Sequence, residues 1–407
     1  MSSTGTLRGV RIAMISDQPA MLDARALRQI EELTDAGATV AVWANANRPQ
    51  VRQRRVVSGG VSFHQEPPPS RVLMRLLPRV TRRAHRELLD RRIYREVADF
   101  GPDVVAHHDV RSLALAAQIA ERSGRPLVSD LPDLPPEDDG GGSNQMLKPP
   151  PYRPKPELHG VMLRYYGTAK FRLTAAPALA EVLTATYGGN LPEVLLNVPR
   201  RSECTPGRGA DSVRRHVSLS RGEKLLVYVG DVKPGRNVEV ILSALALVGK
   251  WRLAIVGADQ PKLERFFAGH SLAQDLRARI AIVPRQPDWQ LPNFLADADA
   301  GIHIMEGRSF NKHHAAPNKF FAMALAGIPL IVSGAYMSQE VQRLALGIAL
   351  DAPTARSVAD ALESLENQRP LDMRAHQQVR VDYGWRRQAQ TLLKLYAAAA
   401  ESRSGMP

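Results

Sequence analysis

One stretch in the second half of the chain, HAAPNKFFAMALAGIPLIVS at residues 314–333, constrains the fold more than any other part of the sequence. Pro317 suits the first turn of a helix, where its missing N–H is not needed. The residues after it are apolar almost all round, which is typical of a buried helix, and Gly327 with Pro329 predicts where that helix ends. The apolar run at residues 330–332 is typical of a parallel strand covered on both faces. The stretch therefore predicts a buried helix that leads into the middle of an α/β sheet.

An alternation of strands and helices extends this pattern along most of the chain. Short apolar runs predict strands at residues 10–15, 39–43, 104–106, 126–129, 173–175 and 194–196, and again at 224–229, 251–256, 280–283, 300–304 and 330–332. Apolar residues at helical spacing predict helices between many of them, for example at residues 23–36, 177–187 and 238–248. The β-α-β order predicts parallel, doubly wound sheets, in which ligands bind beyond the carboxyl ends of the strands.

The length of 407 residues is too great for one ordinary domain. A polar stretch at residues 201–221 predicts a linker between a domain at 1–200 and a second domain at 222–384. The only cysteine, Cys204, excludes a disulfide framework and a cysteine-rich zinc site. The N-terminus lacks the apolar core of a signal peptide, and the sequence has no apolar run of about 18 residues. We therefore expect a cytoplasmic protein.

The chain is strongly basic, with a formal net charge of +13, which favours anionic partners. Nine arginines lie between Arg71 and Arg95 among apolar residues, and Pro78 divides this segment into two predicted helices. Two interpretations stay open. The segment is either a solvated helix face or a surface for peripheral binding to the inner face of an anionic cytoplasmic membrane, where each basic residue adds about 1 kcal/mol. No nucleic-acid-binding motif is present, so nucleic acid is not an expected partner.

Two segments of the second half predict an anion site. The segment GDVKPGRN, which starts at Gly230, follows an apolar strand and precedes a helix. A glycine there lets the backbone approach a phosphate, and Lys233 or Arg236 can neutralise the charge. Asn318 and Lys319 open the predicted buried helix, whose first N–H groups and positive dipole end also favour an anion. Both segments fall at the edge of the sheet where ligands bind.

Retaining glycosyltransferases of family 4, which have the GT-B fold, carry a Pro-Asn-Lys-Leu-Phe-Glu-x-x-Ala-x-Gly-x-Pro block. The sequence PNKFFA that begins at Pro317, followed by AGIP at residues 326–329, resembles this block. The chain differs at Ala322, where the family has the glutamate that holds the donor ribose, and at His314, where many members have a glutamate near the donor sugar. The resemblance implies two Rossmann-like, doubly wound α/β domains that face each other across a cleft, with the last helix, at residues 385–400, returning to the first domain.

The resemblance also implies how the donor diphosphate is held. The family uses a Gly-Arg-x-x-Pro-x-Lys-Gly loop, whose arginine and lysine grip the diphosphate. Here Gly230 begins the similar segment and Arg236 stands at the lysine position. Asp231 stands at the arginine position, so Lys233 is the expected substitute.

Further donor contacts follow from the same likeness. Members with the Pro-Asn-Lys block often carry a Ser-x-Asn shortly before it, as Ser309 and Asn311 do here. Glu306, in the same loop, is the candidate for holding the ribose in place of the absent glutamate. The predicted donor-binding residues are Gly230, Lys233, Arg236, Glu306, Ser309, Asn311, His314, Asn318 and Lys319.

The first domain carries similar matches. The segment from Asp23 to Arg25 resembles an Asp-x-Arg at the start of the family's first helix, and His108-Asp109 resembles a histidine–aspartate pair after a later strand. The segment DLPD at residues 130–133 stands where the family has Asp-x-His-Glu. The predicted catalytic residues are Asp17, His108 and Asp109, and the predicted acceptor-side residues are Asp23, Arg25 and Asp130.

These features predict a retaining, hexosyltransferase-type glycosyltransferase. It would move a sugar from a UDP- or GDP-sugar to a glycan, lipid-linked or small-molecule acceptor in polysaccharide or glycoconjugate biosynthesis. No cofactor or metal is expected, because helix N-termini and basic side chains stabilise the leaving diphosphate. Two alternatives stay open: a GT-B homologue that binds without transferring, such as a partner subunit of a glycan assembly complex, and, less favoured, a nucleotide-sugar epimerase.

Overall fold

The computed structural model describes eleven ranges of the chain. They are residues 7–16, 24–45, 55–58, 61–66, 79–137, 152–200, 211–232, 236–269, 271–305, 309–366 and 373–402. Four of the predicted site residues, Asp17, Asp23, Lys233 and Glu306, lie outside these ranges. None of the helices within them is long and apolar enough to cross a membrane.

The chain divides into two compact units. The N-terminal unit comprises Met1–Asp138, Arg153–Leu195 and Ala389–Pro407, and the C-terminal unit comprises Asp139–Tyr152 and Leu196–Gln388. Each unit contains one twisted sheet with helices packed on it, as expected for doubly wound α/β domains.

The N-terminal sheet has eight strands in the order β3-β4-β2-β1-β5-β6-β7-β8. The strands are β1 (Arg11–Ser16), β2 (Thr39–Asn45), β3 (Arg55–Ser58), β4 (Val61–Glu66), β5 (Val104–His108), β6 (Leu127–Leu131), β7 (Phe171–Thr174) and β8 (Glu193–Val194). All neighbouring pairs are parallel except β3 with β4. The β3–β4 hairpin is absent from the sequence-based prediction, because its strands are short and interleave polar and basic residues with the apolar ones.

Helices cover both faces of this sheet. They are α1 (Ala24–Asp35), α2 (Arg79–Phe100), α3 (Val110–Ser123), α4 (Pro156–Tyr165), α5 (Pro177–Tyr187) and the final helix of the chain, α15 (Trp385–Glu401). Leu392 and Tyr396 of α15 are buried in the same core as Ile12 of β1 and Ile30 of α1. The last helix therefore belongs to the core of the N-terminal unit.

The C-terminal sheet has six parallel strands in the order β11-β10-β9-β12-β13-β14. The strands are β9 (Lys224–Val229), β10 (Trp251–Val256), β11 (Ile280–Val283), β12 (Ala300–His303), β13 (Leu330–Val332) and β14 (Gly347–Ala349). The helices are α6 (Val238–Leu247), α7 (Gln260–Ala268), α8 (Ser271–Asp275), α9 (Leu291–Leu295), α10 (Phe310–His314), α11 (Asn318–Ala326), α12 (Ala335–Leu344), α13 (Ala355–Glu366) and α14 (Met373–Tyr383). This order places β9 and β12 in the middle of the sheet.

Helix α11 follows the pattern that its sequence predicts. Pro317 is the N-cap, with extended φ and ψ of −74° and 142°, rather than the first helical residue. Every residue from Phe320 to Ala326 is buried, and Gly327 ends the helix in the left-handed conformation at φ 73°. The buried strand β13 follows directly. The helix thus starts at the carboxyl edge of the sheet, where its first N–H groups are available to a ligand.

Candidate functional site

Gly230 and Lys319 meet at the carboxyl end of the central strand β9. Gly230 follows the strand with φ of +135°, a conformation that side-chain-bearing residues rarely adopt. A Cβ at this position would lie 3.0 Å from Cε of Lys319 and 3.6 Å from its Nζ. The lysine side chain from α11 therefore passes directly over the glycine. This contact joins the two segments that the sequence predicts as the anion site.

Arg236 lies on the same edge of the C-terminal unit. Its Nη1 contacts Sδ of Met305 at 3.8 Å, just beyond the end of β12. Besides burial, the positive charges of Lys319 and Arg236 lower the pKa of His303, the last residue of β12. Arg236 and Lys319, two of the predicted diphosphate-binding cations, thus lie at the ends of the two central strands.

His303 is a buried residue of this region that the sequence analysis does not single out. Burial, followed by the charges of Lys319 and Arg236, lowers its pKa to about 3. Neither ring nitrogen has a hydrogen-bond partner within the described ranges. The imidazole is therefore neutral at physiological pH. The signal in the sequence was one polar residue inside the apolar run AGIHI.

Asn318, the first residue of α11, does not act as an N-cap, since that position belongs to Pro317. Its side-chain amide instead donates to Oδ1 of Asp288 at 3.4 Å. Asp288 lies in the loop after β11, next to Trp289, whose side chain is 54% exposed. This hydrogen bond connects the start of α11 to the loop that follows the edge strand β11.

The short helix α10 carries three other predicted donor-binding residues. The hydroxyl of Ser309 caps this helix by accepting from the N–H of Lys312 at 3.2 Å, and Asn311 lies within its first turn. The ring of His314 packs on Phe310, with the ring centroids 4.3 Å apart. Burial, followed by the neighbouring His313, lowers the pKa of His314. The donor-binding roles of Ser309, Asn311 and His314 stay predictions.

Ala322, where the family has a glutamate, is completely buried on α11. It lies between buried aromatic and aliphatic residues of the same helix. The helix is apolar on both sides of this position, and the alanine itself has no exposed surface.

In the N-terminal unit, Arg25, His108 and Asp130 come together in one buried network. Arg25 donates to the Asp130 carboxylate from Nε, at 2.9 Å to Oδ2, and from Nη2, at 2.8 Å to Oδ1. Nδ1 of His108 lies 2.8 Å from Oδ2 of Asp130, and Nε2 of Gln29 donates to the same oxygen at 2.5 Å. All four side chains are buried. His108 and Asp130 lie opposite each other on the neighbouring strands β5 and β6, and the network that they form with Arg25 and Gln29 lies below the surface.

Burial on its own raises the pKa of Asp130, but Arg25 and His108 outweigh it and hold the pKa well below its usual range. The carboxylate is therefore ionised, and its partners balance its negative charge. Removal of one partner from such a buried pair strongly destabilises the folded state. His108 is thus held in position by Asp130. Its catalytic role stays a prediction, as do the acceptor-side roles of Arg25 and Asp130.

Asp109 and His107 organise the turn between β5 and α3. Asp109 has φ of +87°, and its carboxylate caps α3 by accepting from the N–H of Arg111 at 3.0 Å. His107 donates from Nδ1 to the carbonyl of Asp109 at 3.0 Å and accepts at Nε2 from the Ser129 hydroxyl at 2.7 Å. Burial lowers the pKa of His107 to about 4, so its ring is neutral. Asp109 is observed as a helix cap, and its predicted catalytic role is untested.

A cavity of about 510 Å³ opens beside this turn, at the carboxyl ends of β1 and β2. Helices α2, α3 and α4 form its walls, largely through apolar side chains such as Ile93, Leu115 and Val161. Asp90, Arg111 and Glu157 add charge to the lining. This size and mixture are typical of small-molecule sites. Among the described residues, no group of three His, Cys, Asp or Glu side chains has the arrangement of a metal site.

Part of the C-terminal unit is similar to a known protein family. Residues 211–382 match the sequence model of the family described as Glycosyl transferases group 1. The matched range contains Gly230, Arg236, His303 and the whole of α11. A sequence search of curated proteins finds no match to the chain.

Solved structures show the fold of the whole chain. Sucrose-phosphate synthase from Thermosynechococcus elongatus superposes with a TM-score of 0.73 at 14% identity, covering 97% of this chain and 100% of that one. HepE from Anabaena, solved with UDP-glucose, gives 0.62 at 13% identity over 95% and 99% of the two chains. The UDP-forming trehalose-phosphate synthase from Burkholderia vietnamiensis gives 0.63 at 12% identity over 97% and 98%. The expected GT-B fold, with two Rossmann-like domains, is confirmed.

Proposed function

We propose that the protein is a glycosyltransferase that moves a sugar from a nucleotide-sugar donor to a glycan, lipid-linked or small-molecule acceptor with retention. The observation that carries the proposal is the close approach of Lys319 to Gly230 at the carboxyl end of β9, beside the start of α11. The cleavage of a nucleotide sugar leaves negative charge on the diphosphate. Helix N–H groups and fixed cations stabilise such charge without reorganising.

The donor part of the proposal has support from the fold relatives. HepE was solved with UDP-glucose, and a starch synthase with the same fold was solved with ADP. In this chain, Lys319, Arg236 and the first turn of α11 would bind the diphosphate, and neutral His303 would lie behind them. Lys233 and Glu306 stay proposed contacts to the diphosphate and the ribose.

The acceptor part of the proposal rests on the N-terminal unit. The cavity beside β1 and β2 has the size and the carboxyl-edge position of a ligand site. His108, Asp109 and Asp17 are the proposed catalytic residues, with Arg25 and Asp130 holding His108 in place from below. Polysaccharide or glycoconjugate biosynthesis is the proposed setting.

A non-catalytic GT-B homologue is the second candidate, and one observation favours it. Ala322 is fully buried where the family has its ribose-binding glutamate, so the chain lacks that hydrogen-bond acceptor and has no exposed surface there to replace it. Such a homologue would bind the nucleotide sugar and leave it intact.

Peripheral membrane binding through Arg71–Arg95 is a further part of the proposal. The first part of this segment and the side chains of residues 79–86 lie outside the described ranges. In the described part of α2, Arg92 is paired with Glu96 at 2.7 Å, and acidic residues accompany the arginines. The hypothesis therefore depends on Arg71–Arg86 and on the exposed Arg91 and Arg95.

A donor screen separates the two candidate functions. The purified protein is incubated with UDP-, GDP- and ADP-sugars, and the release of nucleoside diphosphate is followed with and without candidate acceptors. A transferase releases diphosphate from at least one donor, and Lys319→Ala loses that release while Lys250→Ala, an exposed lysine of the same domain, keeps it. Binding of a donor without any release would favour the non-catalytic homologue.

A further inference from the structure

A second cavity, of about 950 Å³, lies on the N-terminal unit, and neither the family resemblance nor the proposed reaction uses it. It is formed by the C-terminal ends of α3 and α4 and by the residues that precede β6 and β7. These are the amino ends of parallel strands. Substrates of open α/β sheets bind at the opposite edge, so this cavity is separate from the proposed acceptor site of the same unit.

The lining of this cavity is strongly basic. Arg122, Arg125, Arg164 and Lys170 all contribute to it, against a single carboxylate, Glu121. Within the described ranges, none of these four cations forms an ion pair. Four positive charges against one negative charge around one concave surface create a field that attracts an anion.

Two of the guanidinium groups are held in place by aromatic rings. Arg122 lies over the ring of Tyr94 at 4.4 Å, and Arg164 lies over the ring of Tyr165 at 5.2 Å. The two tyrosines are linked through Gln118, which accepts from the Tyr94 hydroxyl at 3.1 Å and donates to the Tyr165 hydroxyl at 3.2 Å. Stacking holds a guanidinium by its face and leaves the N–H donors at its edge for a ligand. The two guanidinium groups therefore lie on aromatic partners that leave their N–H donors available to an anion.

Stabilisation of helix ends explains only two of these four basic residues. Arg122 and Arg164 lie in the last turns of α3 and α4, where a cation stabilises a helix. Arg125 and Lys170 lie outside the helices, directly before β6 and β7. A purely stabilising role leaves these two residues unexplained.

We propose that this cavity binds a phosphate-bearing anion. Guanidinium groups match phosphate oxygens with paired N–H donors, and several such contacts in one cavity favour a group with more than one phosphate or a clustered set of headgroups. The anion is either a free phosphate compound or the headgroup of an anionic lipid. The inference does not depend on the proposed transferase activity.

Calorimetry with inorganic pyrophosphate tests the site, in a Lys319→Ala/Arg236→Ala background that removes binding at the proposed donor site. Arg125→Gln/Arg164→Gln should lower pyrophosphate affinity about tenfold or more, because two charge-assisted contacts are lost. Arg8→Gln/Arg153→Gln is the matched control, since it removes the same charge from exposed positions of the N-terminal unit that do not line the cavity. Unchanged affinity in the cavity variant, or an equal loss in the control, would overturn the proposal.

Sedimentation with phosphatidylglycerol and phosphatidylcholine vesicles distinguishes the two sources. If the cavity variant alone loses binding to the anionic vesicles, the ligand is a lipid headgroup. If pyrophosphate binding depends on the cavity and vesicle binding does not, the ligand is a free phosphate compound. Absence of wild-type binding to both pyrophosphate and anionic vesicles would contradict the proposal outright.

Discussion

Gly230→Ala perturbs the contact on which the proposed donor site depends. The new Cβ would lie 3.0 Å from Cε of Lys319, so the lysine side chain must shift by a few tenths of an ångström or more. The substitution also places a side chain at φ of +135°, which costs on the order of 1–3 kcal/mol. At about 2–4 °C per kcal/mol for a domain of this size class, the melting temperature should fall by roughly 2–12 °C.

Nucleotide binding should fall as well, because the displaced ammonium loses part of a charge-assisted contact to the diphosphate. A complete loss of such a contact weakens binding by about tenfold or more, so calorimetry should show a loss of up to about tenfold for Gly230→Ala. The matched control is Gly222→Ala, at the turn before β9. Its φ is +87°, and a Cβ there meets nothing within 4 Å, so it carries backbone strain without touching Lys319.

A double-mutant cycle identifies the cause of the affinity loss. In a Lys319→Ala background, Gly230→Ala should weaken nucleotide binding less than it does in the wild type, because only the direct approach of the backbone to the phosphate is still blocked, while the loss of melting temperature persists. The reasoning is refuted if Gly222→Ala weakens binding as much, or if Gly230→Ala weakens binding equally with and without the lysine.

Three further predictions concern groups that the structure buries. His107, whose pKa is lowered by burial from 6.5 to about 4, stays neutral in the folded state while the unfolded state takes up a proton. The free energy of unfolding therefore contains the full contribution of His107 above about pH 6.5, and it decreases by on the order of 3 kcal/mol as the pH falls to about 4. In His107→Gln, the free energy of unfolding should depend less on pH over that range. An unchanged pH dependence would contradict this. Ala322→Glu should lower the melting temperature without tightening nucleotide binding, because it buries a carboxylate; a stable variant with higher affinity would show that position 322 faces the ribose. Arg25→Met should destabilise the protein by about 3–5 kcal/mol in urea unfolding, because it leaves the Asp130 carboxylate without its main partner; a loss below about 1 kcal/mol would show that the ion pair is not needed.

Much of the fold could be predicted because its signals are local. Strands β9, β10, β11 and β13 have the predicted bounds, since each consists almost entirely of apolar residues, as is typical of a parallel strand covered on both faces. Gly327 ends α11 as expected, in the left-handed conformation that glycine adopts most readily. Strand β14 has three residues, and the β3–β4 hairpin has little apolar alternation. Both were missed because such short strands are defined by their neighbours in the sheet.

The site could be predicted only in part, because it is built from distant contacts. Ligands of parallel sheets bind beyond the carboxyl ends of the strands, and this places Gly230 and Lys319 in the same region. The passage of the lysine side chain over the glycine depends on the exact placement of α11. The convergence of His108 and Asp130 follows from strand order. Their complete burial under Arg25 and Gln29 depends on side-chain packing, which no sequence pattern reports. His303 carries no motif at all, and its importance comes from the two cations beside it.

The binding of nucleoside diphosphates to single-site variants tests the central claim most directly. Wild-type protein is titrated calorimetrically with UDP, GDP and ADP, together with Lys319→Ala, Arg236→Ala and, as a control, Arg356→Ala at an exposed position of α13. We predict that the wild type binds at least one nucleotide and that Lys319→Ala and Arg236→Ala each lose about tenfold or more in affinity, with unchanged melting temperatures, while Arg356→Ala matches the wild type. Wild-type affinity in both Lys319→Ala and Arg236→Ala would contradict the placement of the donor diphosphate at this edge of the C-terminal sheet.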